Sequence, residues 1–241
     1  MSEAPKPFSV MGLPVHLLDD YTNWLRSRLQ KQKGTHVVTL NAEMVMQAKH
    51  DKALGEAIQQ AELVVPDGSG VIFYLRLRNQ QQQRCTGIGL AASLLETAGQ
   101  LEASSPVCFY GGAPGMAKAA AKVWLQRVPG IAITTEHGYL SPKAEQEFRQ
   151  TLAEQQPQLI LVSLGVPRQE LWIRENRWLC PQAIWMGVGG SFDIWAGVKP
   201  RAPLWLQKNH LEWLYRLYQE PWRWRRMLVL PQFALRALLQ R

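Results

Sequence analysis

The sequence predicts an α/β protein with a parallel sheet and helices on both faces. Two observations predict it. Short apolar runs rich in β-branched residues or closed by Gly alternate with Ala/Leu/Gln/Glu-rich stretches of helical length, and strand–helix alternation builds parallel sheets. The runs are also apolar throughout, which fits strands covered on both faces.

The predicted strands are "HVVTLNA" (36–42), "LVVP" (63–66), "VCFYGG" (107–112), "LILVSLG" (159–165) and "IWMGVGG" (184–190). Helices are predicted over 42–62, 89–102, 114–128, 141–156 and 167–179. Residues 1–198 then form a Rossmann-like domain. Ligands of such sheets sit beyond the carboxyl ends of the strands, near a topological switch point. Thr39 and Asn41 follow the first strand, Asp67 with Gly68 and Gly70 the second, and "GGAPG" the third. "GVPRQE" and "GGSFD" follow the last two. One glycine-rich loop is ordinary in this fold class; five with the same bias predict a site.

Each motif has a functional and a structural reading. In "VVPDGSGV" Asp67 is a general base or sugar contact, or the N-cap of the next helix. It is not a dinucleotide fingerprint, because Phe73 stands where G-x-G-x-x-G needs glycine. "GGAPGMAKAA" (111–120) offers helix N–H groups to a phosphate, or is a plain turn with Pro114 near the first helical position. In "SLGVPRQELW" Gln169 has both a donor and an acceptor for a nucleotide or sugar, while Arg168 reads equally as a solvated side chain. In "VGGSFDIWAG" Asp193 accepts from a ribose or base, or caps a helix.

Composition excludes several classes. The three cysteines, Cys85, Cys108 and Cys180, lack CxxC spacing, which fits a reducing cytosol. "MSEAPKPFSV" has no basic-then-apolar leader pattern. No apolar run approaches the roughly 18 residues of a spanning helix. The five histidines show no metal-ligand pair, and there is no D-x-D triplet or G-x-S-x-G elbow. The expected site is metal-independent, needs no cofactor and has no covalent nucleophile.

Charge separates the tail from the body. The net charge is +8, and Lys199 to Arg241 hold nine Lys/Arg against Glu212 and Glu220. Half of the ten tryptophans fall between Trp195 and Trp224. Residues 199–241 therefore read as a basic amphipathic appendage. Arg216, Arg223 and Arg226 would share one face of a continuous helix, but Pro221 is expected to interrupt it. Such a segment suits a membrane surface or anionic ligand, an ordinary packed helical pair, or single-stranded nucleic acid.

"TLNAEMV" (39–45), "VVPDGSGV" (64–71), "SLGVPRQE" (163–170), "GVGGSFDIWAGVKPRAP" (187–203) and "LEWLYRLYQEPWRWRR" (211–226) together resemble the WecG/TagA/CpsF glycosyltransferases, in order along the whole chain. The resemblance implies transfer of an N-acetylmannosamine-type sugar, or its uronic acid, from a UDP donor to N-acetylglucosamine on a polyprenyl diphosphate. The product linkage would be β, formed with inversion. It also implies peripheral association with the inner face of the cell membrane, no nucleic-acid partner, and leaves a homo-oligomer open. By position, Asp67 matches the proposed catalytic base and Thr39 the motif threonine beside it. Asn41, Gln169 and Asp193 match residues lining the nucleotide-sugar pocket, and Arg84, in "RCTG", an arginine facing the site. Arg216, Arg223 and Arg226 match tail arginines expected to meet diphosphates. One position departs: Gly89, in "TGIGL", stands where the family run T-G-x-D-L places an acid, which bears on sugar specificity. Two rival readings are a nicotinamide-dependent oxidoreductase and a non-catalytic membrane- or nucleic-acid-binding module. The first requires the glycine fingerprint that the sequence lacks.

Overall fold

The structure, a computed structural model, describes residues 5–101, 106–209 and 211–239, apart from the Arg223 side chain. Among the described residues there are eight strands: β1 (Pro7–Val10), β2 (Leu13–His16), β3 (Thr35–Leu40), β4 (Leu63–Pro66), β5 (Val107–Gly111), β6 (Ile133–Glu136), β7 (Leu159–Ser163) and β8 (Ile184–Gly187). Six form one sheet in the order β4-β3-β8-β7-β5-β6, and every neighbouring pair is parallel. The α/β class and the doubly covered parallel sheet are as expected.

The strands alternate between two apolar layers. Val107, Phe109, Leu159, Leu161, Ile184 and Met186 face one layer, made with helices Tyr21–Gln30, Gly87–Gln100 and Met116–Arg127. Cys108, Tyr110, Ile160, Val162 and Trp185 face the other, against helices Pro142–Gln155 and Arg168–Asn176. On that same face Val38 and Leu40 meet helices Ala42–Ala48, Lys52–Gln59 and Ser69–Leu77. Burial on both faces is why these strands lack polar alternation.

Several elements differ from the sequence reading. The long helix expected over 42–62 is two helices, because the Asp51 side chain caps the second by accepting from Leu54 N at 3.0 Å. β6, "ITTE", is an edge strand with Thr134 exposed and its other residues only partly buried, so its polar residues hid it. The hairpin β1–β2 turns through Met11 and Gly12, both at positive φ. His16, which ends β2, accepts from Val64 N at 2.8 Å through Nδ1, so the hairpin covers the edge strand β4 and satisfies a donor that the sheet leaves unpaired.

The tail is a series of short helices. Helix Glu212–Gln219 ends at Glu220, a 3₁₀ turn spans Pro221–Arg223, and helices Trp224–Met227 and Val229–Leu239 follow. Pro221 does interrupt the helix, so the three tail arginines share no common helical face. The last helix packs against the body: Phe233 and Ala237 are fully buried in the layer containing Leu40, Val45 and Tyr74. Among the described residues no helix is long and apolar enough to cross a membrane.

Candidate active site

The sheet has its switch point between β3, whose next strand β4 lies on one side, and β8, which is reached from the other. Two adjoining cavities open there, at the carboxyl edge. The inner one is bounded by Thr39, Gln169, the Gly189–Ser191 turn and Lys199. The outer one lies between the Gly68–Gly70 turn and the tail, with Trp213, Met227 and Leu230 forming an apolar side. Asn41, Asp67, Arg84, Glu212 and Arg216 line both.

Asp67 follows β4 directly, and its backbone N–H donates to Leu40 O at 2.9 Å. It does not cap the next helix. Gly68 is the N-cap of Ser69–Leu77, at φ 84°, and makes no side-chain cap bond. That left-handed conformation favours glycine, and it turns the Asp67 carboxylate toward the cavities. Oδ1 accepts from Arg84 Nε and Nη2, both at 3.4 Å, and Oδ2 accepts from Gly87 N at 3.3 Å. Gly87 abuts Thr39: a Cβ there would lie 3.0 Å from Thr39 Cγ2. Thr39 is buried at the end of β3 and lines the inner cavity.

Arg84 Nη2 also pairs with Glu212 Oε2, on the tail. Asp67, Arg84 and Glu212 thus form an acid–cation–acid row, all three side chains largely buried. A second such row lies at the rim. Lys199 Nζ contacts Asp193 Oδ2 at 2.8 Å and Glu220 Oε1 at 3.0 Å. The hydrogen bond to Asp193 and the nearby Glu220 raise the Lys199 pKa despite partial burial, so it carries its charge.

Gln169 is buried with both amide atoms engaged. Its Oε1 accepts from Gly189 N at 3.1 Å and its Nε2 donates to Glu170 Oε1 at 3.0 Å. Glu170 Oε2 in turn lies 2.9 Å from His36 Nε2. Gln169 therefore holds the Gly189 turn against the cavity. Asn41 caps helix Ala42–Ala48, its Oδ1 accepting from Met44 N at 3.0 Å. Asp193 lines neither cavity; it contacts Lys199, which lines the inner one. Arg216 is exposed, lines both cavities and has no ion pair among the described residues. Arg226 pairs with Glu43 at 2.7 Å, and the Arg223 side chain lies outside the described residues. The "GGAPG" turn borders neither cavity. Among the described residues no group of three or more His, Cys, Asp or Glu side chains could hold a metal ion.

Burial, reinforced by the Asp67 charge, pushes the Cys85 thiol up to about 12. It is a neutral neighbour of the acid and no thiolate nucleophile.

The sequence model of the glycosyl transferase WecG/TagA/CpsF family matches residues 8–241. The chain belongs to that family. It is 36% identical over 236 residues to the N-acetylglucosaminyldiphosphoundecaprenol N-acetyl-beta-D-mannosaminyltransferase of Bacillus spizizenii, covering 97% of this chain and 90% of the relative. It is 33% identical over 224 residues to the protein of that name from Bacillus subtilis, covering 92% and 86%. The chain is accordingly an enzyme that transfers a sugar, and the oxidoreductase and binding-module readings fall away.

The glycosyltransferase's inner cavity is also lined by residues that its sequence alone did not single out: Lys199, Glu212 and Glu220. The available signal was spacing. Glu212, Arg216 and Glu220 recur every four residues in "EWLYRLYQE", which reads as self-paired charges on a solvated helix. The structure instead turns Glu212 onto Arg84 of the body and Glu220 onto Lys199, at the start of the tail.

Proposed function

We propose that this enzyme transfers N-acetylmannosamine from a UDP donor to N-acetylglucosamine on a polyprenyl diphosphate, with inversion and without a metal. The observation that carries the reading is the position of Asp67 at the junction of two cavities. The inner cavity, polar and closed by the Gly189 turn, suits the nucleotide-sugar. The outer one, with its apolar side toward the tail, suits the lipid-linked acceptor. The relatives' names specify this acceptor and this sugar.

Asp67 takes the proton of the acceptor hydroxyl as its oxygen forms a bond to the anomeric carbon. The bond from that carbon to the UDP oxygen breaks, and UDP leaves with the electron pair through an oxocarbenium-like state. Thr39 stands beside the acid. Arg84 orients the carboxylate, and Asn41, Gln169 and Asp193 shape the donor side. The developing charge on the diphosphate requires cations in place. Arg216 is poised for it, with Arg223 and Arg226 following on the same segment.

The tail also carries exposed Trp205, Tyr218, Trp222 and Trp224 among its basic residues. Aromatic and basic side chains together suit an anionic membrane surface, where each cation contributes about 1 kcal/mol. We therefore assign residues 199–241 to membrane association and site completion, and the enzyme to the cytoplasmic face.

The test is transfer from UDP-N-acetylmannosamine to a short-chain prenyl-diphosphate N-acetylglucosamine, in detergent with EDTA. The product should be the β-linked disaccharide lipid. No product from this donor, with product from UDP-N-acetylmannosaminuronic acid, would overturn the assigned sugar. Activity restored only by added Mg²⁺ would overturn metal independence.

A further inference from the structure

We propose that Glu212 and Glu220 are positioning residues: they clamp the tail helix over the cleft and hold Arg216 between them. The inference rests on the reading above only in assigning the diphosphate to Arg216. Glu212, Arg216 and Glu220 are spaced four residues apart along Glu212–Gln219 and its C-cap, so they share one side of the helix. That side faces the inner cavity, which Glu212, Arg216 and Glu220 all line: Glu212 reaches Arg84, and Glu220 reaches Lys199, itself held by Asp193 of the body. The anchors come from separate parts of the chain. Arg84 precedes helix Gly87–Gln100, and Lys199 follows the turn after helix Ser191–Trp195.

Helix chemistry accounts for an acid at Glu212, in the first turn, but not for its burial, and it does not account for Glu220. Glu220 sits at the C-terminal end, where the helix dipole disfavours a carboxylate. Its Lys199 partner, itself held by Asp193, supplies the reason for its place. Glu212 is almost fully buried, which a solvated helix would not require. Each acid has the Arg216 guanidinium one turn away, yet among the described residues Arg216 pairs with neither. The acids are engaged by Arg84 and Lys199, and Arg216 is left for an anion. The clamp thus separates two uses of charge on one helix: its ends bind protein, and its middle faces the ligand.

The first readout is hydrogen exchange of the full chain without substrate. Glu220→Gln should speed exchange of amides 212–219 by about tenfold, leaving amides of β3, β7 and β8 unchanged. Arg216→Gln should leave amides 212–219 near the wild-type rate. Glu212→Gln should act as Glu220→Gln does. Should its burial prevent folding, the more exposed Glu220 still carries the test. The second readout is kinetic: because Arg216 meets charge that develops in the transition state, Glu220→Gln should lower kcat by about tenfold with little change in the donor KM. In an Arg216→Gln background the same substitution should add nothing. Unchanged exchange at 212–219 overturns the clamp. Effects on kcat that multiply in the double variant overturn action through Arg216. An enzyme inactive with every donor would refute the proposed function, while exchange would still decide the clamp.

Discussion

Replacing Asp67 with Asn keeps the side-chain shape while removing a proton acceptor and a charge. The structure separates the two consequences. The substituted amide can still accept through its one oxygen, either from Gly87 N, which lies 3.3 Å from the native carboxylate, or from Arg84. Arg84 keeps Glu212 as a partner, so no cation is stranded. The Asp67 side chain is 24% exposed and its contacts to Arg84 are long, at 3.4 Å. The loss in stability is then on the scale of a weak ion pair, at most about 1 kcal/mol. That corresponds to a fall in Tm of about 2–4 °C for a chain of this size. Loss of a general base costs about 10²–10⁴ in rate, or about 3–5 kcal/mol of barrier. Turnover should collapse while folding is nearly untouched. The assay pairs kcat for sugar transfer with calorimetric Tm on the same preparation. A kcat within about tenfold of wild type would refute the base assignment. A fall in Tm on the order of 10 °C would place the loss in the fold instead.

Three further outcomes follow from individual residues. With its pKa pushed up to about 12, first by burial and then by Asp67, Cys85 should resist iodoacetamide in the folded enzyme; at pH 8 only about one thiol in 10⁴ is ionised, and labelling followed by mass spectrometry should rise sharply in denaturant. Burial lowers the His16 pKa below its ordinary 6.5, so its neutral ring contributes stability that is fully present above about pH 6.5 and is lost as pH falls through the folded value; Tm should decline on acidification from about pH 7.5 to about 5.5, less steeply in His16→Gln. Phe233→Ala should lower the unfolding free energy by about 3–5 kcal/mol in urea titrations, because the ring is fully buried and lies 6.3 Å from Tyr74, centroid to centroid.

Legibility followed the range of the interactions. Strand β4 and its exit residue Asp67 were readable because an apolar run and a glycine turn are local features. Two readings of Asp67 stood open, and Gly68 at φ 84° decides between them by taking the cap position itself. Asn41, read by resemblance as a pocket residue, is also a helix cap. Gln169 was read as a free donor and acceptor; its polar atoms are turned to Glu170 and Gly189, and the second of these only the fold brings near. Arg84 sits beside the run "NQQQQ", and composition gave no reason to choose it. The Arg84–Glu212 pair spans 128 residues of chain, so no window of sequence contains it. β6 escaped for a different reason, since an edge strand needs apolar residues on fewer sides.

The positive charge of the tail does not translate directly into a phosphate site. Lys199 is matched by Asp193 and Glu220, and Arg226 by Glu43. Arg84, the body's cation in the cleft, is matched by Asp67 and Glu212. Net charge therefore overstates what the cleft offers an anion, and the position of Arg216 matters more than the sum. The same segment exposes Trp205, Trp222 and Trp224, which line neither cavity. Proposed membrane contact and proposed diphosphate contact thus fall on different side chains of one segment. Substituting Trp222 and Trp224 should weaken binding to anionic vesicles and leave turnover of a short-chain, water-soluble acceptor intact, whereas Arg216→Gln should do the reverse. A tail whose two functions moved together in both variants would instead be a single element that folds onto the site only at the membrane.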